Sequence, residues 1–116
     1  MSLKNSRHVG SQFEEMAASY LQEAGYQILD RNYRDRLGEI DIVAKDGRYL
    51  VFVEVKYRAN SEKGDPAEAV HGRKQKRIRN GARGYLYRHG LGEDVACRFD
   101  VVAVLGHEIR LIKDAF

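Results

Sequence analysis

The chain has 116 residues, of which 43% are apolar and 32% are charged, and its formal net charge at pH 7 is +3. This balance is typical of a soluble globular domain and excludes an intrinsically disordered chain. The single cysteine, Cys97, excludes an internal disulfide framework and offers no cluster of zinc ligands.

The length predicts one domain over residues 1–116, with the polar residues 1–6 expected to be disordered. No stretch approaches the ~18 apolar residues that a membrane-spanning helix needs, and no signal-peptide core is present near Met1. We therefore expect a cytoplasmic protein with no membrane partner.

The first predicted element is a one-sided helix from Arg7 to Ala24. Its apolar residues recur at the i, i+4, i+7 spacing of an amphipathic helix, and Gly25 is placed as its stop. At about 100° per residue, Glu14 falls beside Leu21, on the border of the apolar stripe. An alternating segment from Tyr26 to Arg34 then predicts a first strand.

The segment from Gly38 to Lys56, GEIDIVAKDGRYLVFVEVK, predicts a β-hairpin. Its turn is expected at Asp46-Gly47, a dipeptide that suits a two-residue loop whose central residues both need positive φ. In that register Lys45 faces Arg48, and one face of the hairpin is wholly apolar. The residues of this apolar face are Ile40, Ile42, Ala44, Val51, Val53 and Val55.

The other face of the hairpin gathers carboxylates at one end. In the same register Glu39 lies opposite Glu54, with Asp41 on the diagonal and Lys56 next along. Like charges placed opposite one another destabilise a sheet, so either exposure to water or a divalent cation must offset the repulsion. The run YLVFVEV is apolar on both faces, as covered central strands are, which favours a cleft over a solvated end. A one-residue slip would instead put Asp41 and Glu54 on opposite faces.

A strongly basic helix follows the hairpin. Asp65 is expected to cap it, with Pro66 at its first position and Glu68 as a reciprocal cap. From Arg73 to Arg88 there are seven Lys or Arg residues and no acid. Glycines within this run favour a kink near residues 81–84. Because no nearby acid balances the charge, phosphate backbones are its natural partner.

Two more strands are predicted near the C-terminus, from Arg98 to Leu105 and from Ile109 to Ile112. Asp100 interrupts the first of them, and we expect it to pair with a nearby arginine outside the functional site. The order of helix, three strands, basic helix and final strands predicts an α/β fold around a small mixed sheet flanked by helices.

Asp41 followed by Glu54-Val55-Lys56 resembles the D…E-x-K signature of the PD-(D/E)XK nuclease superfamily, which includes restriction endonucleases and archaeal Holliday-junction resolvases. The blocks GEIDIVAKDG, VFVEVKYR, GDPAEAV followed by RKQKRI, and CRFDVV resemble more closely the uncharacterised bacterial YraN-type family within it. That resemblance covers roughly Gly10 to Val104. Ile40 stands where the superfamily's label has proline, which leaves the carboxylate in place.

The resemblance implies a restriction-endonuclease-like α-β-β-β-α-β core and metal-dependent hydrolysis of phosphodiester bonds in nucleic acid. It favours DNA over RNA, and a structure-specific action like that of Holliday-junction resolvases. Asp41 and Glu54 would hold Mg²⁺ or Mn²⁺, whose preferred ligands are hard oxygens. Glu14 and Glu39 would be further ligands, and Lys56 would act on the attacking water. The residues that would hold the nucleic acid are Arg73, Lys74, Gln75, Lys76 and Arg77.

Two other interpretations stay open. The chain would also suit a nucleic-acid-binding module that keeps the fold and the basic helix without cleaving, or a protein scaffold whose carboxylates hold a structural metal. Metal-dependent cleavage separates the nuclease from both, and salt-sensitive binding without cleavage selects the binding module. A homodimer is a further open arrangement.

Overall fold

The computed structural model describes residues 3–62, 64–66, 70–92 and 94–116, with side chains from Gln12 onward. In chain order the elements are α1 (Leu3–Glu23), β1 (Gln27–Arg34), β2 (Glu39–Asp46), β3 (Tyr49–Arg58), α2 (Gly72–Arg88), β4 (Cys97–Leu105) and β5 (Glu108–Ile112). This order confirms the α/β class and the restriction-endonuclease-like α-β-β-β-α-β core, to which β5 adds an edge strand. Neither helix, in its described part, is long and apolar enough to cross a membrane.

The strands form one mixed sheet in the order β1-β2-β3-β4-β5. β3 and β4 are parallel, because α2 carries the chain back across the sheet between them, and the other neighbours are antiparallel. β3 is therefore the central strand, as its apolar run predicts, and its residues Leu50 to Glu54 are buried.

A helix covers each face of the sheet, so the core has two layers. On the α1 side, Leu21 packs among valines of β3 and β4 such as Val53. On the α2 side, Phe52 packs with Ile78 and Tyr85 of the basic helix. Burial of each large apolar side chain contributes about 1.5–3 kcal/mol, so both helices are held firmly against the strands that carry the acids.

The hairpin turn lies one residue later than predicted. Asp46 pairs with Tyr49, so the central residues are Gly47 and Arg48, and Gly47 has a φ of +60°. Glycine at the first central position is typical of a type II′ turn, which does not need the Asp-Gly dipeptide at its centre. The register consequently shifts by two residues, and the predicted pairing of Glu39 with Glu54 is wrong. A shift of two preserves the faces of a strand.

The start of β2 departs from strict alternation. Ile42 packs on the α1 side, whereas Ile40 packs on the α2 side with Val43, so the prediction that both isoleucines share one face is wrong. On β1, Asn32 has a φ of +55°, a left-handed conformation that few residues other than glycine adopt. The register places Asn32 beside Asp41, so both strands change face at the same point.

Both helices differ from their predicted bounds. α1 begins at Leu3, before the predicted start at Arg7, and ends at Glu23. α2 begins at Gly72 after the N-cap residue His71, not at Pro66, and it continues without a break to Arg88. Asp65 pairs with Arg110 of β5, which explains why its carboxylate does not cap the helix. The predicted cap Glu68 lies outside the described residues.

Candidate metal-binding carboxylates and basic helix

α2 lies directly against the start of β2. A Cβ atom on Gly38 would lie 2.0 Å from the carbonyl oxygen of Arg77, and one on Gly81 would lie 3.0 Å from the backbone nitrogen of Glu39. A larger residue at Gly38 would therefore push the helix away from the sheet. This close approach puts the first turns of α2 over the acidic end of the hairpin.

The carboxyl groups of Asp41 and Glu54 lie close enough together for each to affect the pKa of the other. Glu54 is only 4% exposed. Burial and the adjacent Asp41 charge raise the pKa of Glu54 to about 8, and burial also raises the pKa of Asp41. In the absence of a cation, Glu54 therefore keeps its proton at pH 7.

The Asp41 side chain also takes over a hydrogen bond at the point where the backbone pairing of β2 with β3 ends. The described pairing of β2 with β3 ends at Ile42 and Val53, and beyond it Asp41 Oδ2 accepts a hydrogen bond of 2.8 Å from the Val55 N–H. This bond fixes the orientation of the carboxylate where the two strands part. Asp41 is thus held towards Glu54 by the backbone of the strand that carries Glu54.

Lys56 lies on the same face of β3 as Glu54. The β3–β4 register is uninterrupted here, and the partners of the two residues, Val101 and Ala103, both belong to the α2-side core. Lys56 is half-buried, and none of the carboxylates in the described ranges forms an ion pair with it. The predicted grouping of Asp41, Glu54 and Lys56 on neighbouring strands is therefore compatible with the register.

A lysine of α2 reaches the acids directly. Lys74 Nζ lies 3.4 Å from Glu54 Oε1 and 3.6 Å from Glu39 Oε1. Arg77 and Arg34 lie 3.3 Å and 3.4 Å from the same Glu39 carboxylate. The Lys74 charge opposes the effect of burial and lowers the pKa values of Asp41 and Glu54. The Lys74 ammonium group therefore balances part of the negative charge of this acidic cluster.

Glu14 approaches the pair from the other side of the sheet. It is half-buried on α1. Its pKa is raised by burial and then by the Asp41 charge, and the nearby Asn32 side chain lowers it. Within the described ranges, no group of three or more His, Cys, Asp or Glu side chains is arranged to hold a metal ion. Glu14 and Glu39 are thus near the pair without forming one ligand set with it.

The predicted nucleic-acid-binding residues differ in their availability. Arg73 and Lys76 are exposed. The Arg77 side chain is 56% exposed although it pairs with an acid. Gln75 Nε2 instead donates a 3.1 Å hydrogen bond to the carbonyl oxygen of Val70, just before α2. Gln75 therefore fixes the entry to the helix, and Arg73, Lys76 and Arg77 are the side chains open to a phosphate.

Asp100 belongs to a separate buried network, as the sequence predicts. Its Oδ1 lies 2.9 Å from Arg98 Nε, and its Oδ2 accepts a 2.7 Å hydrogen bond from the Tyr26 hydroxyl. Arg98 also donates to Asp46 at 2.8 Å, at the turn end of β2. These partners satisfy the buried carboxylate, so Asp100 serves the fold.

Asn32 is a site residue that the sequence pattern did not reveal. Its side chain lies close enough to Glu14 to lower the pKa of that carboxyl, and its backbone conformation accompanies the change of face beside Asp41. Asparagine is among the few residues that tolerate positive φ, so an asparagine inside a predicted strand was a usable signal.

The fold and the site together define an α/β protein of the restriction-endonuclease-like order, with a carboxyl pair of one buried and one half-buried residue and with Lys74 beside it. The chain belongs to the uncharacterised protein family UPF0102, whose profile matches residues 13–104. This confirms the YraN-type assignment.

Bacterial members of the family are similar over nearly the whole chain. Identity is 61% over 112 residues to the UPF0102 protein of Lachnoclostridium phytofermentans, covering 97% of this chain and 95% of that protein. It is 50% over 119 residues to that of Chlorobaculum parvum, covering 93% and 91%. It is 42% over 117 residues to that of Clostridium botulinum, covering 96% and 95%. The names of these relatives state no activity.

Proposed function

We propose that the protein is a metal-dependent nuclease that hydrolyses phosphodiester bonds in nucleic acid, with DNA preferred to RNA. The observation that carries this proposal is the Asp41–Glu54 carboxyl pair at the end of the central strands, in which Glu54 is buried and Asp41 is half-buried. Two adjacent carboxyls that are wholly or partly shielded from water oppose folding, because loss of hydration and mutual repulsion both disfavour their ionised forms. Such a cost is characteristic of a functional site.

The donor set fits Mg²⁺ or Mn²⁺. Both ions prefer carboxylate oxygens, and Mg²⁺ is commonly held by one or two carboxylates together with substrate phosphates, so Asp41 and Glu54 are sufficient protein ligands. When bound, such an ion supplies a water of lowered pKa and offsets negative charge on the phosphate. Glu14 and Glu39 would add negative potential nearby without contacting the ion.

Each remaining group has a role in this proposal. The Val55 N–H keeps the Asp41 carboxylate oriented before a ligand arrives. Lys56 orients or activates the attacking water and stabilises negative charge in the transition state. When another positive charge neutralises Glu54, Lys74 is released from that acid. Lys74 then joins Arg73 and Lys76 in holding the phosphates of the scissile strand.

One contact supports the alternative of a non-catalytic nucleic-acid-binding module on the same fold. Lys74 Nζ lies within 3.6 Å of both Glu39 and Glu54, so these acids have a cationic partner that comes from the chain itself. In that case α2 binds phosphates in a salt-sensitive way, and no divalent ion changes the nucleic acid.

A cleavage panel separates the two functions. Linear duplex, single-stranded and branched DNA, and the matching RNAs, are incubated with the protein in Mg²⁺, in Mn²⁺ and in chelator. The proposal predicts that strands are cut with either ion and that all cutting stops in chelator. Salt-sensitive binding to the same substrates, without cleavage in any metal, would establish the binding module instead.

A further inference from the structure

A cavity of about 440 Å³ lies at the opposite end of α2 from the carboxylate pair. The last turns of α2 form one wall, and the loop between β1 and β2 forms the other. This volume lies within the ~300–1,000 Å³ range of small-molecule sites. This cavity is not lined by Asp41, Glu54 or Lys56.

The loop wall is fixed in place. Asp35 Oδ1 accepts hydrogen bonds from the backbone N–H groups of Leu37 and Gly38 at 2.8 and 3.0 Å, and its Oδ2 accepts one from the Tyr33 hydroxyl at 2.6 Å. The loop also touches α2 at Gly84, where a Cβ atom would lie 2.0 Å from Asp35 Oδ2. The cavity is therefore preorganised, and its one lining acid already has several partners.

The side chains that border the cavity are unusual for a protein surface. Tyr87 is 88% exposed and Leu37 is 59% exposed, although both are large hydrophobic residues. Two arginines complete the lining: Arg36 is exposed, and the Arg88 guanidinium lies 6.0 Å from the centre of the Tyr33 ring. An open aromatic face among cations complements a flat ring attached to an anionic backbone.

Tyr87 continues the basic surface of α2. Lys76, Arg83 and Tyr87 follow one another at spacings of seven and four residues, which places them on one face of the helix. All three are exposed. At ~1.5 Å of rise per residue, Tyr87 lies roughly 20 Å along the helix axis from Lys74.

We propose that this cavity binds an unpaired nucleobase, stacked on Tyr87, while Arg36 and Arg88 contact the neighbouring phosphates. The inference rests on the proposed function in taking nucleic acid as the ligand, and it specifies the substrate class. Bases inside a duplex are already stacked and paired, so only a single-stranded segment, a branch or a frayed end can supply this base. The site thus selects nucleic acids that carry an unpaired nucleotide roughly 20 Å, measured along α2, from the end of the helix at which Lys74 meets Glu54.

Equilibrium binding without metal tests the inference. Fluorescence anisotropy is measured in chelator with two labelled DNA strands of equal length and charge, an oligothymidylate and its abasic counterpart. Tyr87→Ala should weaken binding of the oligothymidylate about tenfold and leave the abasic affinity unchanged, because stacking needs a base. Tyr87→Phe keeps the ring and should bind like the parent. Met16→Ala removes an exposed apolar side chain from α1, on the other face of the sheet, and should change neither affinity.

The result is independent of cleavage. Equal affinities of Tyr87→Ala and the parent for the oligothymidylate would overturn the inference, and so would an equal reduction in affinity for the abasic strand. The first outcome would show that the ring does not contact the nucleic acid, and the second that it contacts the sugar-phosphate backbone and not a base. Neither outcome would affect a nuclease demonstrated in the cleavage panel. A base-dependent reduction in a protein that cuts nothing would support the cavity and refute the nuclease.

Discussion

Replacing Glu54 with glutamine should stabilise the metal-free protein at pH 8 and leave its stability near pH 5 almost unchanged. The pKa of Glu54 rises from 4.5 to about 8 in the folded protein, chiefly because the side chain is buried. Between these pH values the folded state keeps a proton that the unfolded state has lost. The contribution of Glu54 to the free energy of unfolding therefore falls as pH rises across this window.

The size of the effect follows from that difference in pKa. Each pH unit inside the window removes about 1.4 kcal/mol, so Glu54 lowers the stability of the parent by about 4 kcal/mol between pH 5 and pH 8. Glutamine has nearly the same shape and does not ionise, and its amide can donate a hydrogen bond to Asp41. The variant should therefore exceed the parent by about 3–4 kcal/mol at pH 8.

Urea unfolding in chelator at both pH values measures this difference. Glu15→Gln is the matched control, since the Glu15 side chain is 67% exposed and pairs with Arg31 on the surface. The control should change stability by less than about 1 kcal/mol at both pH values. If Glu54→Gln shifts the free energy of unfolding equally at pH 5 and pH 8, Glu54 does not carry a raised pKa, and the description of the pair fails.

Three other substitutions test separate parts of the structure. Asp41→Asn should weaken Mn²⁺ binding at least tenfold in calorimetric titration while apo stability persists, because the amide oxygen still accepts the Val55 N–H; unchanged affinity would exclude Asp41 as a ligand. Lys76→Glu should reduce the salt dependence of nucleic-acid binding, measured as the slope of log affinity against log salt concentration. The slope should fall by about one unit for each phosphate that Lys76 neutralises in the parent, and an unchanged slope would show that Lys76 is only solvated. Gly38→Ala should lower the free energy of unfolding in urea by about 2 kcal/mol, because the added Cβ would overlap the backbone of α2. Gly72→Ala is the control and should not lower it, because a Cβ there meets nothing within 4 Å. Equal effects of the two substitutions would contradict the close approach of α2 to Gly38.

Alternation of side chains was enough to place Glu54 and Lys56 on one face. The exact register was beyond the sequence, because Lys-Asp-Gly-Arg can form a two-residue turn around either Asp46-Gly47 or Gly47-Arg48. The two choices differ by two residues along the strand, so they change the partner of Glu54 without changing its face. The wrong register therefore does not separate Glu54 from Lys56 on β3.

Other features depend on tertiary contacts that no local pattern reports. Ile40 and Ile42 are both apolar, and both faces of the sheet are covered, so hydropathy could not reveal that they point to opposite sides. The ion pair between Lys74 and Glu54 requires α2 to lie against the loop at Gly38. The run of basic residues alone indicates a positively charged surface that suits phosphates. It does not indicate which lysine pairs with an acid of the same chain.

The single-turnover cleavage rate of Lys56 variants tests the central claim most directly. The parent, Lys56→Ala and Lys56→Arg are compared at saturating protein on the substrate that the panel selects. The account predicts metal-dependent cleavage by the parent, its abolition in both variants, and metal and substrate binding that stay near the parent values, since Lys56 acts in the transition state and arginine cannot give up its proton. Cleavage at the parental rate in Lys56→Ala, or none by the parent in any metal, would contradict it.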